Sequence, residues 1–314
     1  MKLHVDEKIF QELIKLTAGE LKINRLFIEK DYWITLILSR LAKSKYVAEA
    51  VFKGGTSLSK GYNLIERFSD DVDIGIINDN GKTGNEIKTI IRTIEKEITP
   101  DLTELQMDGV TSKGSRFRKS VFEFESINQG NNSNRLIVEI NSFANPFPFK
   151  QMEIKSFVLD YLMQSGNEKY IAEYNLQPFF VNVLHKEQTL LEKLVALIRL
   201  SFQEKTIESI AGKIRHFYDL YFLLNDTESA AFVKSDSFKK QFDAILEHDR
   251  QLFDEPTGWR EKAIADSPLM KDFETVWKQL KGIYTTQLSA LAYTAIPDEK
   301  KVAVQFKNIL NRIR

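Results

Sequence analysis

No cysteine occurs among the 314 residues, so disulfides, thiol nucleophiles and cysteine-held zinc or iron–sulfur sites are excluded. Glycine and proline are scarce, at 14 and 7, which favours long helices over many short strands. Neither sign of charge prevails, because 44 basic residues cancel 44 acidic ones. With no global field to draw in a polyanion, any such surface must be local, made by gathering Lys and Arg onto one face. No apolar run approaches the ~18 residues of a membrane span. Residues 1–10 alternate charged and apolar types without a hydrophobic centre, so neither a secretory signal nor a membrane partner is expected and the compartment reads as cytoplasmic. His4, His185 and His248 lack metal-ligand spacing. The His-Glu-x-x-His, Gly-x-Ser-x-Gly and Gly-x-x-x-x-Gly-Lys-[Ser/Thr] patterns are all missing, which removes the corresponding hydrolase and P-loop readings.

What remains is the composition of an ordinary folded chain, 43% hydrophobic and 28% charged, long enough for two cores. Helical spacing appears over residues 10–16 and 24–44, where Leu26, Trp33, Leu36, Ile37 and Leu41 share a face. A short strand over 49–53 ends at Gly54-Gly55, Thr56 reads as an N-cap, and 57–65 has helical period. Residues 72–77 alternate as a strand before the Asn78-Asp79-Asn80-Gly81 break. Ile87, Ile90, Ile91, Ile94 and Ile98 line one face of a helix over 85–98 that stops before Pro100. Strands over 120–127 and 135–141 flank an Asn- and Gly-rich turn at 129–134, which predicts an antiparallel hairpin. A last strand is expected over 179–184. Beyond it the pattern is helical, over 189–201, 207–224, 237–248, 271–284 and 298–313.

The sharpest feature is Gly54-Gly55-Thr56-Ser57-Leu58-Ser59-Lys60 followed by Arg67-Phe68-Ser69-Asp70-Asp71-Val72-Asp73. Two glycines after a strand let backbone N–H groups approach a phosphate, and the next helix points its positive end there. Thr56 and Ser57 add hydroxyl donors. Asp71 and Asp73 stand two apart on a strand, so both carboxylates leave from one face and can share a hard cation, while Val72 and Ile74 turn to the core. That arrangement suits Mg²⁺, which binds substrate phosphates with few carboxylates. Glu139 sets a third acid inside an apolar strand, where it needs a cation or a Lys/Arg partner. Basic residues Lys113, Arg116, Arg118 and Lys119, with Arg199, Lys205, Lys213 and Arg215, are candidate phosphate contacts if the acceptor is RNA.

Read together, these residues resemble the AbiEii/AbiGii-type nucleotidyltransferase toxins, a branch of the DNA polymerase β-like nucleotidyltransferase superfamily. Lys53 to Lys60 with Arg67 to Asp73 is similar to that family's first motif almost position for position. Glu29-Lys30-Asp31-Tyr32-Trp33 resembles its N-terminal helix signature, Thr189-Leu190-Leu191-Glu192-Lys193-Leu194 its second helix, and Arg215-His216-Phe217-Tyr218-Asp219-Leu220-Tyr221 its closing motif. Residues 225–314 match nothing beyond general helicity.

The resemblance implies an α+β fold, with a nucleotidyltransferase-fold mixed sheet and flanking helices over 1–185 and an α-helical domain over 186–314. It implies Asp71 and Asp73 as catalytic metal ligands, Gly54, Gly55, Thr56, Ser57, Lys60 and Arg67 near the triphosphate, Lys193 as a catalytic phosphate contact, and Asp219 as a second essential acid. The residues alone leave alternatives open. Lys193 either snorkels to solvent or reaches a ligand, Asp219 is equally readable as one half of a salt bridge, and His216 is read as structural first. Either Glu139 or Asp219 could serve as base or further metal ligand. The implied reaction is Mg²⁺-dependent transfer of NMP from an NTP (GTP, CTP or ATP) to an RNA hydroxyl, such as a tRNA 3′ end, by a toxin with a separately encoded antitoxin. Transfer to protein hydroxyls and non-catalytic NTP sensing are the rivals.

Overall fold

The computed structural model describes residues 1–69, 71–78, 81–127, 134–144 and 146–314. Asp70 of the first motif, Asp79 and Asn80 of the expected break, and 129–133 of the expected hairpin turn lie outside the described residues. The chain forms two compact units, one of residues 1–63 and 68–184, the other of residues 64–67 and 185–314.

The first unit is α+β. Two helices open it, α1 (Glu7–Leu21) and α2 (Arg25–Leu41), each with a side-chain N-cap, Asp6 accepting from the Ile9 N–H and Asn24 from the Leu26 N–H. Such caps satisfy donors that the first turn leaves without partners. Then follow β1 (Ala50–Lys53), α3 (Gly54–Lys60), β2 (Asp71–Ile76), α4 (Gly84–Ile98), β3 (Thr103–Leu105), β4 (Ser112–Lys113), β5 (Phe117–Glu123), β6 (Arg135–Asn141), β7 (Phe149–Ile154), α5 (Phe157–Gln164), α6 (Lys169–Glu173) and β8 (Phe179–Leu184). The strands among the described residues make one mixed sheet in the order β3-β5-β6-β2-β1-β8-β7, with β4 on β5. β1 runs antiparallel to β2, β2 parallel to β6, and β1 parallel to β8.

Strand periodicity decides which face of this sheet is dry. Phe52, Val72, Ile74, Val138 and Ile140 are fully buried. Helix α4 covers the same face at β5, where its Glu95 accepts from Arg118 Nε and Ser120 Oγ, each at 2.6 Å. A capping box between Thr83 and Glu86 starts α4, and its five isoleucines all lie in the core. Residues one step out of phase, Asp71, Asp73, Glu139 and Lys119, belong to the opposite face and are half-buried.

The second unit is helical: α7 (Lys186–Leu200), α8 (Thr206–Ala211), α9 (Arg215–Asn225), α10 (Thr227–Lys234), α11 (Ser237–Leu252), α12 (Pro268–Lys271), α13 (Phe273–Leu291) and α14 (Glu299–Ile313). The continuous helix expected over 207–224 is broken between Ala211 and Arg215, at Gly212, whose lack of a side chain weakens helix interiors. Phe217 packs on Trp277 and Phe306 at centroid distances of 5.1 and 4.6 Å, joining α9, α13 and α14. Residues 64–67 join this unit through a bridge of Arg67 to Ala292 and a hydrogen bond from the Tyr293 N–H to the Glu66 carbonyl.

Candidate active site

The glycine bend and the paired acids meet in the first unit. Lys53, the last residue of β1, is the register partner of Asp73, so the chain turns into α3 beside that carboxylate. Gly54 has φ +80°, a left-handed conformation that glycine adopts without a Cβ penalty. A Cβ built there would stand 2.0 Å from Asp73 Oδ2. The first glycine is therefore required by the carboxylate as well as by the backbone.

Thr56 is buried, and its hydroxyl donates to the Asp71 carbonyl. It lies inside α3 rather than capping it, because Lys53 occupies the N-cap position. That bond ties the first turn of α3 to the first residue of β2 and fixes the peptide from which Asp71 projects. Ser57 is fully buried and donates to the Gly54 carbonyl at 2.9 Å. Both hydroxyl protons are committed within the protein.

Lys60 is engaged likewise. It sits in the last turn of α3, and its Nζ is 2.6 Å from both Asp31 Oδ1 and the Lys155 carbonyl. Asp31 also accepts from the Phe157 N–H at 2.9 Å. Burial pushes the Asp31 carboxyl up against the opposing pull of Lys60 and that N–H. The neighbouring Glu29 accepts from Ser126 Oγ and the Ile127 N–H. The Glu29-Lys30-Asp31 signature thus ties α2 to other parts of the first unit.

Glu139 is the register partner of Asp73 across the parallel β2–β6 pair, and Lys119 on β5 is the partner of Glu139. Lys53, Asp73, Glu139 and Lys119 form one row over four strands, with Lys119 Nζ 4.0 Å from Glu139 Oε2. Among the described residues no three acids or histidines are grouped to hold a metal ion. An adjacent register position holds Glu139 one strand away from Asp73, beside a cation that balances its charge. The Asp71–Asp73 pair still fits Mg²⁺, which needs one or two carboxylates plus phosphate oxygens and water.

In the second unit, Arg67, Lys193 and Asp219 form a buried ion cluster. Arg67 Nε and Nη2 donate to Asp219 Oδ1 and Oδ2 at 2.7 and 2.6 Å, and Lys193 Nζ lies 2.8 Å from Oδ2. Asp219 is 0% exposed. Burial alone would raise its carboxyl, but the Arg67 and Lys193 charges win and hold it well below the usual carboxylate range. An acid so paired is a poor proton acceptor, and its oxygens are taken. In this geometry the carboxylate of Asp219 and the guanidinium of Arg67 serve each other. His216, half-buried on the same helix, is held well below its ordinary value, first by burial and then by Lys193. It is neutral at pH 7.

Of the basic residues nominated for RNA, Arg118 is buried on Glu95, Lys113 pairs with Glu104, and Arg199 pairs with Asp249. The partners in the Thr56–Asp71 tie, the Asp31–Lys60 pair and the Arg67–Asp219 pair do not show in linear spacing. The available signal was an acid inside an apolar helical run, at Asp31 and Asp219, which requires a buried cation.

The AbiEii family, described as a nucleotidyl transferase AbiEii toxin of a type IV toxin–antitoxin system, matches residues 36–296. Among solved structures, the fold is similar to MenT4, a nucleotidyltransferase toxin from Mycobacterium tuberculosis H37Rv, with a TM-score of 0.55 at 14% identity, covering 96% of this chain and 99% of that one. At such identity the likeness is one of fold. No curated protein matches the chain. No helix among the described residues is long and apolar enough to cross a membrane.

Proposed function

This chain belongs to the AbiEii nucleotidyl transferase toxin family of type IV toxin–antitoxin systems, and from that premise we propose that it transfers NMP from an NTP to an RNA hydroxyl, with a tRNA 3′ end as the acceptor to test first. The carrying observation is the placement of the Asp73 carboxylate against the Gly54 bend, with Asp71 pinned by Thr56 on the same strand. Asp71 and Asp73 would hold a divalent ion, with Mg²⁺ as the expected species. When bound, such an ion neutralises charge on the triphosphate and polarises it. The backbone N–H groups of the Gly54-Gly55 bend are the donors proposed for phosphate oxygens, since the Thr56, Ser57 and Lys60 side chains are already engaged.

In the proposed reaction the acceptor oxygen bonds to the α-phosphorus, the bond to the β-bridging oxygen breaks, and pyrophosphate leaves. Glu139 takes the hydroxyl proton in this scheme: it is half-buried, next to Asp73 in register, and free of the double cation clamp that disables Asp219. In this scheme Lys193 and Asp219, already paired with each other, support the second unit. A toxin of this class implies an antitoxin partner, here taken as separately encoded, and a cytoplasmic site of action.

The test is incubation of the protein with each α-labelled NTP, Mg²⁺ and total RNA, read on denaturing gels. Label in an RNA band is expected, and the most effective NTP identifies the base. Label on protein, or in neither, overturns the RNA-acceptor reading.

A further inference from the structure

Helices α9 and α14 of the second unit enclose an open cavity of about 330 Å³ lined by Tyr221, Lys300, Lys301, Val304, Gln305 and Asn308. The five α14 residues recur at helical spacing on one face, while Val302, Phe306, Ile309 and Leu310 fill the core side. Each liner has a distinct chemistry. Tyr221 supplies a half-buried aromatic ring, and Val304, 59% exposed, supplies apolar surface. Lys300 and Lys301 are exposed and have no ion-pair partner among the described residues. Elsewhere on this helix Lys307 is neutralised, by Glu274 at 2.5 Å. Asn308 offers an amide, and Gln305 offers its amide oxygen while its Nε2 donates to Asn225 Oδ1 at 3.1 Å.

An aromatic ring, two uncompensated ammonium groups and two amides in one small cavity match the parts of a nucleotide: a base face, a phosphate and a base edge. The volume lies at the small end of ligand sites, ~300–1,000 Å³, which suits one nucleotide, and the open mouth lets a strand enter and leave. An apolar protein partner fits poorly, because Val304 is the only strongly exposed apolar liner. We propose that this cavity is an RNA-binding subsite: a base of a single strand stacks on Tyr221 while its flanking phosphates lie on Lys300 and Lys301. The proposal takes from the proposed function only that RNA is the acceptor. Binding is measured without NTP, so failure of the transfer chemistry and failure of the subsite are read separately.

The experiment uses the full chain and a fluorescent eight-nucleotide single-stranded RNA carrying 4-thiouridine. Photo-crosslinks are expected at Tyr221 or within 300–308. Tyr221→Ala should weaken RNA binding about tenfold, Tyr221→Phe should stay within about twofold of wild type, and polyphosphate of equal charge should bind Tyr221→Ala as it binds wild type. Lys300→Ala with Lys301→Ala should lower the slope of log affinity against log salt by about 1.4. Crosslinks confined to other segments overturn the proposal, even if a variant fails to fold. So does an equal loss of polyphosphate binding in Tyr221→Ala, or saturation by a mononucleotide with no gain from strand length.

Discussion

Asp73 in the first unit is half-buried on a strand with its Oδ2 against Gly54, whereas Asp219 in the second is fully buried on a helix with both oxygens held by cations. Both were candidate catalytic acids. Their surroundings differ. A half-buried carboxylate beside a bend with no side chain has given up only part of its hydration. One that has already exchanged water for a bidentate guanidinium and an ammonium can release neither partner without leaving a charge in the dry interior. On the reading proposed above, what separates the two acids is how much of its hydration each has given up.

The contrast is broken or sharpened by substitution. The largest effect is expected for Asp71→Ala or Asp73→Ala, which should reduce transfer by roughly three orders of magnitude or more with thermal unfolding close to wild type. Full activity in the double variant would dissolve the metal assignment. Asp219→Asn should act on folding first. It leaves Arg67 and Lys193 buried without a countercharge, at a cost of about 3–5 kcal/mol in urea unfolding. A variant as stable as wild type yet inactive would move Asp219 into the same class as Asp73.

Gly54→Ala comes next. Its Cβ meets Asp73 Oδ2 and its φ is positive, so displacement of the carboxylate should lower transfer about 10²-fold, with a raised requirement for Mg²⁺ in titration. Wild-type turnover in this variant would show that the bend and the acid are independent.

The smallest effect is the pH dependence of stability. His216 and Asp219 both have folded values below their ordinary ones. On acidification the unfolded state therefore binds each proton first, and stability falls in two steps, below about pH 6.5 for His216 and below about pH 3.9 for Asp219. In urea midpoints measured from pH 7.5 to 3, His216→Gln should flatten the first step and leave the second. Retention of the first step in that variant would assign it to another group.

Much of the first unit was readable from periodicity. The isoleucine face of α4, the alternation in β2 and the apolar run of β6 each follow from a residue spacing that leaves one burial solution. The short β3 and β4 carry no such pattern, and β7, half-exposed at an edge, alternates too weakly to stand out. Hydrophobic spacing continues across the break at Gly212, so periodicity alone joins α8 to α9. In the site, the proximity of Asp71 and Asp73 followed from their two-residue spacing. The engagement of Thr56, Ser57 and Lys60 did not, since each partner comes from geometry that a linear motif does not record. Lys60 ends the seven-residue α3, and its partners Asp31 and Lys155 come from distant parts of the chain.

By itself, then, the order of residues determined the kind of chemistry: a glycine bend, a strand bearing two acids on one face, and helices to support them. These are local matters, settled by backbone freedom and by side-chain periods of 2.0 and 3.6 residues. Only the tertiary structure decided which charges remain available. Asp31 meets Lys60 across 29 residues and Arg67 meets Asp219 across 152, and burial makes such pairs nearly irrevocable, because in a medium of low polarity a charge is stable only beside its opposite.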